Sequence, residues 1–197
     1  MNEFWSQWQP RERATLCFIF KGTDVLLIRK KRGLGAGKIN APGGRIEPGE
    51  SPADCAIRET MEEVGLVPSA VIERGQLHFQ FADGYSLHCT VFTATEYSGD
   101  LVETDEALPI WTALDSIPYH EMWADDIHWL PGMLAGGHFT GYFHFDGEAM
   151  MSKELVWHEG ASNPLATPQA NSGTYWPADS NSSVIVGRSQ TSDGPKY

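Results

Sequence analysis

The segment that most constrains the fold runs from Gly43 to Leu66, where an irregular glycine-rich loop leads into a sharply bounded helix. Ser51 is a favourable N-cap, and Pro52 suits the first helical turn because it has no backbone N–H to leave unpaired. Gly65 is a typical residue at which a helix stops. The segment therefore predicts a helix over Pro52–Val64, preceded by a loop whose backbone can approach a ligand closely.

Three carboxylates are clustered on this predicted helix. Glu59, Glu62 and Glu63 lie three and four residues apart, which places them within an arc of about 100° on one face. A bound cation relieves their repulsion, and magnesium prefers oxygen ligands while it leaves positions for water and phosphates. A solvated acidic face is the ordinary interpretation of a bare Glu-x-x-Glu-Glu pattern. The flanking glycines and the pairing available between Glu50 and Arg58 favour a metal site instead.

Apolar runs elsewhere in the chain predict β-strands, and Asp-Gly pairs at positions 83–84 and 146–147 predict hairpin turns. Strands and helices do not alternate regularly, so we predict an α+β fold with a mixed β-sheet between α-helices, an α/β/α sandwich. The predicted strands are Ala14–Phe20, Asp24–Lys30, Gln76–Phe81, Ser86–Tyr97, His138–Phe145 and Met151–His158, and the second predicted helix is Asp125–Leu134.

Composition changes towards the end of the chain. The 197 residues are 41% hydrophobic, which supports one good core. From Ala161 to Tyr197, Ser, Asn, Thr, Pro and Gly replace most large apolar side chains, and such a segment cannot offset its ordering entropy. We therefore expect one domain over residues 1–160 and a disordered tail over residues 161–197, with Val184–Val186 as an exception.

Charge limits the partners of the protein. Fourteen basic and 26 acidic side chains give a formal charge of -12, which argues against a nucleic-acid surface and against adhesion to anionic membranes. The stretch from Val25 to Ile46 is basic and contains no acidic residue, so it can attract a small anionic molecule. We expect a monomer that acts on a small-molecule nucleotide.

The cysteines and histidines carry little functional signal. Three cysteines without paired spacing, and no signal peptide, indicate a reduced cytoplasmic protein. No apolar run approaches the roughly 20 residues that span a bilayer. The seven histidines show no ligand spacing, so we expect them to be structural or surface residues.

The loop and helix together resemble the Nudix box, the motif of the Nudix hydrolases. This resemblance implies the Nudix fold, hydrolysis of a diphosphate linkage, and Mg²⁺ as cofactor, with Mn²⁺ as a substitute. Thr60 stands where the family prefers an aliphatic residue, which is expected to loosen helix packing. The fixed positions of the motif are here Gly44, Glu50, Arg58, Glu59, Glu62, Glu63 and Gly65.

The resemblance also implies catalytic and metal-binding roles. Arg58 and the three helix carboxylates form the implied catalytic group, with Glu63 as the first choice for an essential metal ligand. Lys30 would offset negative charge on the phosphates while water attacks phosphorus. Glu106 matches a later acidic ligand of the family, although a loop surface charge is the ordinary interpretation of its position. The implied metal ligands are the carbonyl of Gly43, Glu59, Glu62, Glu63 and Glu106.

Matches outside the box, over roughly Thr15 to Trp157, resemble the branch of the family that hydrolyses oxidised purine nucleoside triphosphates. In that branch an asparagine and two adjacent aspartates recognise the base, and two aspartates that share a proton can match more than one purine edge. A helix cap at Asp125 and a core filler at Trp123 are the ordinary alternatives. The implied substrate-binding residues are Thr15, Lys30, Asn40, Gly43, Gly44, Phe79, Trp123, Asp125 and Asp126.

The substrate implied by this resemblance is 8-oxo-dGTP, 2-hydroxy-dATP or a related triphosphate, cleaved to monophosphate and pyrophosphate. Ile39, Ala41 and Pro42 replace residues that include aromatic rings in the mammalian proteins, so we expect an altered pocket wall. Two alternatives stay open. One is a Nudix hydrolase of another diphosphate, such as a dinucleoside polyphosphate or an ADP-sugar, which its products would distinguish. The other is a non-catalytic nucleotide-binding module, against which the intact helix carboxylates argue.

Overall fold

The β-sheet is built outwards from the two apolar runs on either side of the turn at positions 21–23. These runs form β1 (Glu12–Lys21) and β2 (Asp24–Lys30), which pair antiparallel with Phe20 opposite Val25. Gly22 has a φ of 61° in the turn, a conformation that glycine adopts without steric cost. The computed structural model describes residues 3–158 and 185–187. Both predicted strands of this hairpin are therefore confirmed.

The remaining strands and helices follow along the chain. The strands are β3 (Ile39–Asn40), β4 (Leu66–Ser69), β5 (Ile72–Phe81), β6 (Ser86–Ala94), β7 (Glu96–Gly99), β8 (Ala107–Ala113), β9 (His138–Asp146), β10 (Ala149–His158) and β11 (Ile185–Gly187). The helices are α1 (Glu3–Gln7), α2 (Pro52–Val64) and α3 (Asp126–Leu134), with a 3-10 turn over Tyr119–Glu121.

The main sheet is mixed. Its strands are ordered β11-β10-β9-β5-β6-β1-β2-β3, and β8 also pairs with β2. The pairs β1–β6 and β5–β9 are parallel, whereas the other pairs in this sheet are antiparallel. Both Asp-Gly turns lie where the sequence predicts them, between β5 and β6 and between β9 and β10.

Alternation along the strands divides the apolar side chains between two cores. On one face, Ile19 belongs to a buried cluster with Ala56 and Val64 of α2. On the opposite face, Phe18 belongs to a second cluster and packs edge-on against Trp129 of α3, with 6.0 Å between ring centroids. The sheet is therefore the middle layer between α2 and α3, and the predicted α/β/α sandwich is confirmed.

Local signals delimit α2 as the sequence predicts. The Ser51 hydroxyl accepts a hydrogen bond from the Asp54 N–H at 3.1 Å, and Gly65 ends the helix with a φ of 77°. Thr60 is fully buried, and its hydroxyl donates to the Ala56 carbonyl at 2.7 Å. The hydroxyl that stands in place of an aliphatic group is therefore satisfied within the helix.

Several elements differ from the predictions. The strand predicted over Ser86–Tyr97 is divided, because β7 leaves the main sheet and pairs antiparallel with β4 in a separate two-stranded sheet. Helix α3 begins one residue after the predicted start. The segment from Gly33 to Gly49, which the sequence predicts to be irregular, contains β3, and β8 was not predicted at all. Short strands such as β3, β4 and β7 have too few residues for a period of two to be visible.

An N-terminal aromatic layer was also missed. Trp5 of α1 is 8% exposed and lies 5.2 Å from the Tyr142 ring and 4.8 Å from the His144 ring. Trp8 lies 5.3 Å from the His78 ring. Burial, with a contribution from His88, lowers the pKa of His78 to about 4. The expectation that these histidines are structural fits this uncharged layer, which covers β5 and β9.

The predicted tail falls largely outside the described residues. Ile185–Gly187 forms β11, which pairs antiparallel with β10 so that Ile185 lies opposite Leu155, within the segment expected to be the exception. The rest of the tail and the boundary at residue 160 lie outside the described residues. Among the residues that are described, no helix is long and apolar enough to cross a membrane.

Replacing Trp129 tests the core between the sheet and α3. Trp129 is the largest fully buried side chain and stacks on Phe139 at 5.1 Å. Trp129→Ala is expected to lower the free energy of unfolding by about 3–5 kcal/mol, because it removes these contacts and leaves a cavity. Chemical denaturation measures the loss. Trp157→Ala is the control, since Trp157 also contacts Phe139 but is 42% exposed; an equal loss in both variants would contradict the prediction.

Candidate active site

One cavity of about 470 Å³ collects most of the residues that the sequence predicts to be functional. It is lined from β1, β2, β5, β6, the glycine-rich loop, α2 and the loop before α3. The predicted site residues that line it are Thr15, Lys30, Asn40, Gly43, Gly44, Glu59, Glu63, Phe79, Glu106, Trp123, Asp125 and Asp126. Arg58 and Glu62 are the two predicted site residues that do not line it.

The glycine-rich loop is fastened to β1. The Thr15 N–H donates to the Gly44 carbonyl at 2.9 Å, and the Cys17 N–H donates to the Pro42 carbonyl at 2.8 Å. A Cβ atom on Gly43 would lie 2.0 Å from the Thr15 carbonyl oxygen, and one on Gly44 would lie 2.3 Å from the Glu59 carboxylate. Gly43 is therefore required where the loop meets the backbone of β1, whereas a side chain at position 44 would displace the Glu59 carboxylate.

Glu63 is the most deeply buried carboxylate of α2, at 2% exposure. One of its oxygens accepts the Gly43 N–H at 2.9 Å, and the other lies 3.6 Å from the Lys30 ammonium. Burial raises the pKa of Glu63, while Lys30 and the Gly43 N–H oppose this shift. Glu63 thus joins α2 to the glycine loop and to β2.

Arg58 connects four acidic and backbone groups around the start of α2. Its guanidinium binds both oxygens of Glu50, at 2.7 and 2.9 Å, and also binds Glu59 at 2.8 Å and Glu62 at 3.1 Å. A further N–H donates to the Arg45 carbonyl at 3.1 Å. These contacts confirm the expected Glu50–Arg58 pair, and Arg58 lowers the pKa of Glu50 to about 2.

The three helix carboxylates have different surroundings. Burial raises the pKa of Glu59, which Arg58 opposes. The side chain of Glu62 is 54% exposed and lies outside the cavity lining. Glu63 is buried. The three carboxylates that the sequence predicts as one acidic cluster therefore differ in exposure, from exposed Glu62 to buried Glu63.

Glu106 reaches this cavity from the loop before β8. Its carboxylate pairs with Arg32, and its negative charge acts on Glu59 and Glu63. On sequence grounds alone a surface charge was the ordinary interpretation. The structure brings Glu106 to the cavity because its backbone carbonyl accepts the Lys31 N–H at 2.8 Å, at the end of β2.

The donor chemistry of this end of the cavity fits a hard divalent cation. Its oxygen donors are carboxylates, which suit Mg²⁺ and Mn²⁺. Within residues 3–158, no three acidic, histidine or cysteine side chains converge closely enough as they stand to form a ready ligand set. Each carboxylate is instead turned towards a basic side chain: Glu59 towards Arg58, Glu63 towards Lys30 and Glu106 towards Arg32.

The other end of the cavity is aromatic. The Phe81 and Phe145 rings stack at 5.6 Å, and Trp123 lies edge-on to them at 6.3 and 5.7 Å. Phe79 stacks on Phe143 at 5.6 Å. A planar aromatic ligand of modest size is the natural occupant of such a space.

Two buried aspartates border the aromatic end. Asp125 is 1% exposed and Asp126 is 3% exposed. One oxygen of Asp125 accepts the Trp129 indole N–H at 2.9 Å, and its other oxygen has no hydrogen-bond partner among the described residues. Asp126 accepts the Trp123 backbone N–H at 3.0 Å. Asp125 makes no side-chain cap to α3, so the helix-cap alternative is wrong.

Burial raises the pKa of both aspartates, and the charge of Asp125 raises that of Asp126 further. Two adjacent buried carboxyls therefore favour sharing a proton rather than ionising together. In that state the pair presents both a hydrogen-bond donor and an acceptor to the cavity.

The residues that flank Asn40 do not themselves form the pocket wall. Ile39 and Ala41 are each 1% exposed and belong to the apolar core, and Pro42 is also buried. None of the three lines the cavity, whereas Asn40 does, with its side-chain carbonyl held by the Ala41 N–H at 2.8 Å.

Several lining residues were missed by sequence reasoning. Leu77 and Phe81 follow from the period of two once Phe79 is placed on β5. Tyr85 and Phe145 could be assigned to the cavity only once the pairing of the strands was known, because that pairing brings the start of β6 and the end of β9 to the same face. The additional lining residues are Ala14, Leu16, Arg32, Gly33, Leu34, Arg45, Leu77, Phe81, Tyr85, Leu87, Cys89 and Phe145.

Known proteins resemble this chain over most of its described part. Residues 10–133 match the model of the NUDIX domain. Oxidized purine nucleoside triphosphate hydrolase from Danio rerio is 42% identical over 134 residues, which cover 68% of this chain and 86% of that protein. The protein of the same name from Mus musculus is 37% identical over 143 residues, covering 72% and 92%.

The fold has matches among solved structures. A MutT protein from Bacillus halodurans has a TM-score of 0.66 and 28% sequence identity, covering 73% of this chain and 97% of that chain. Nudix hydrolases generally use divalent metal ions, which agrees with the carboxylate-lined end of the cavity. The matched domain model, the similar relatives and the shared fold together show that the chain belongs to the Nudix family and is a Nudix hydrolase.

Proposed function

We propose that this enzyme hydrolyses oxidised purine nucleoside triphosphates, such as 8-oxo-dGTP and 2-hydroxy-dATP, to monophosphate and pyrophosphate, and so cleans the nucleotide pool. One observation carries the proposal: a single cavity joins the carboxylates of α2 to an aromatic end bordered by buried Asp125 and Asp126. The two similar vertebrate proteins carry the name of this activity.

Mg²⁺ is the proposed cofactor, with Mn²⁺ as a substitute, and it would supply charge neutralisation on the phosphates and a more acidic water. Its proposed ligands are the carbonyl of Gly43, Glu59, Glu62, Glu63 and Glu106. Support comes from the oxygen donors that share the cavity and from the position of Gly43 between β1 and Glu63.

The side chains of the enzyme divide the remaining work. Arg58 positions Glu59 and Glu62 while it is itself held by Glu50. A carboxylate of α2 accepts the proton of the attacking water. Lys30, 3.6 Å from Glu63, offsets the charge of the phosphates.

The aromatic end recognises the purine. Phe79 and Trp123 offer apolar ring surfaces, and Thr15 and Gly44 line the passage towards the carboxylates. Asn40, Asp125 and Asp126 provide hydrogen-bonding groups for the base edge. Because burial favours a single proton on the aspartate pair, the pair can accept from one oxidised purine and donate to another.

The domain bounds, cellular location and partners of the enzyme are also part of the proposal. We propose that residues 1–160 form the catalytic domain, since every residue that lines the cavity lies between Ala14 and Phe145. The free thiols of Cys17, Cys55 and Cys89 support a reducing, cytoplasmic location. The formal charge of -12 supports a small nucleotide rather than nucleic acid or membrane as partner, and we propose a monomer.

Product analysis tests the proposed substrate. The purified protein is incubated with Mg²⁺ and a panel of ordinary and oxidised purine triphosphates, a dinucleoside polyphosphate and an ADP-sugar. Faster conversion of oxidised purines to monophosphate and pyrophosphate is the expected result. Preferential cleavage of another diphosphate would overturn the substrate, and no turnover of any compound would favour a nucleotide-binding module.

Glu63→Gln tests the catalytic carboxylates. The amide keeps the size of the side chain but removes its charge and basicity, so kcat is expected to fall at least about 100-fold. Steady-state pyrophosphate release measures the change, and the melting temperature reports the fold. Glu96→Gln, at an exposed position, is the matched control and should retain full activity. Unchanged turnover in Glu63→Gln would contradict the mechanism.

The Glu50–Arg58 pair predicts a defined loss of stability in acid. The pKa of Glu50 is lowered to about 2 from 4.5, so the stabilisation is present above pH 4.5 and is lost as the pH falls towards 2. Glu50→Gln should therefore be less stable at pH 7 and lose less stability between pH 4.5 and 2. Denaturant unfolding without divalent ions measures both effects. Glu73→Gln is the exposed control, and identical acid slopes for wild type and Glu50→Gln would refute the assignment.

Asp126→Asn tests recognition of the base. An amide cannot exchange donor and acceptor roles with Asp125 by moving one proton. The ratio of kcat/KM for 8-oxo-dGTP to that for 2-hydroxy-dATP is expected to change by about tenfold or more. Competition between the two substrates measures this ratio, with exposed Asp115→Asn as control. A ratio equal to that of the wild type would exclude Asp126 from purine discrimination.

A further inference from the structure

Lys38 lies outside the cavity but contacts Trp123, which forms part of the cavity wall. The Lys38 ammonium lies 5.1 Å from the centroid of the Trp123 ring, a cation–π contact. The same ammonium pairs with Glu148 at 3.0 Å, and only 21% of the Lys38 side chain is exposed. Trp123 lines the cavity, whereas Lys38 and Glu148 do not.

These contacts join three distant parts of the chain. Lys38 lies in the loop between β2 and β3, Trp123 precedes α3, and Glu148 lies in the turn between β9 and β10. The loop is also close to the indole at Gly35, where a Cβ atom would lie 2.9 Å from the Trp123 indole nitrogen. A wall residue that packs against a loop on one side therefore depends on that loop for its position.

Resting on the proposed function, we propose that Lys38 is a positioning residue for purine recognition: paired with Glu148, it fixes the Trp123 indole as a wall of the cavity. Lys38 touches neither the carboxylates of α2 nor the cavity itself. Its effect therefore falls on binding of the purine and not on hydrolysis.

The charge of Lys38 acts on the aspartate pair. It opposes the rise in the pKa of Asp126 that burial and Asp125 cause. Tyr119 and Cys89 are the other ionisable groups of the described residues that interact with Asp126. The Trp123 N–H opposes the same rise more strongly, and the charge of Lys38 adds to it in favouring the ionised form of Asp126.

Lys38→Met is the first variant to measure, because methionine keeps an unbranched apolar side chain and removes the charge. KM for 8-oxo-dGTP is expected to rise roughly three- to tenfold at nearly unchanged kcat, from the loss of the cation–π contact and the ion pair. Lys21→Met is the matched control, since the Lys21 ammonium lies 5.6 Å from the Trp111 ring, away from the cavity. An unchanged KM in Lys38→Met, or a fall in kcat alone, would overturn the proposal.

The pH dependence of KM distinguishes two effects of removing Lys38. One is the loss of its positive charge near the aspartate pair, and the other is the loss of its packing against Trp123. In Lys38→Met the acidic midpoint of the KM profile should move to higher pH, because the ionised form of Asp126 loses its neighbouring cation. Lys38→Arg should restore the wild-type midpoint, and Glu148→Gln should raise KM less than Lys38→Met. A higher KM with an unmoved midpoint would refute the electrostatic role.

The wild-type enzyme keeps this test independent of the proposed function. If wild type fails to prefer oxidised purine triphosphates, the proposed substrate is wrong, and the same variants are then compared on the diphosphate that it does cleave. If wild type prefers them and Lys38→Met matches it in KM and midpoint, only the role of Lys38 is refuted.

Discussion

Burial of the Glu63 carboxylate is the constraint on which the site depends. A buried carboxylate is costly unless hydrogen bonds or a cation compensate it. Glu63 therefore requires the Gly43 N–H and the Lys30 ammonium, and these two contacts hold the glycine loop and β2 against α2. The loop is in turn bonded to Thr15 of β1. One side chain thus sets the relative positions of three elements, and the carboxylate end of the cavity follows from them.

The buried carboxyl groups at the aromatic end of the cavity are compensated differently from Glu63. Asp125 and Asp126 are as deeply buried as Glu63, but what compensates them is the Trp129 indole, backbone N–H groups and the charge of Lys38. Without a closer cation, the aspartate pair favours holding one proton. In contrast, Glu59, Glu62 and Glu63 of α2 are each paired with a basic side chain. Within one cavity, one end is therefore suited to a metal ion and the other to the edge of an uncharged base.

Features with local signals could be predicted from the sequence, and those fixed by distant contacts could not. The bounds of α2 follow from Ser51 and Gly65, whose caps are local. The place of Glu106 depends on a backbone bond to Lys31, far away in sequence, so its loop position suggested only a surface charge. Ile39 is a similar case: its neighbour Asn40 faces the cavity, and alternation in β3 turns Ile39 into the core. Resemblance to the family identified the position but not the direction of its side chain.

At the aromatic end of the cavity, side chains pack against both faces of strand β5. Leu77, Phe79 and Phe81 face the cavity, and alternation places His78 on the opposite face. There His78 stacks on Tyr142 at 4.6 Å beneath Trp8. Because α1 and Trp5 exclude water from this reverse face, β5 is packed on both sides, as a rigid wall requires. The N-terminal aromatic layer therefore supports the surface on which a purine would lie.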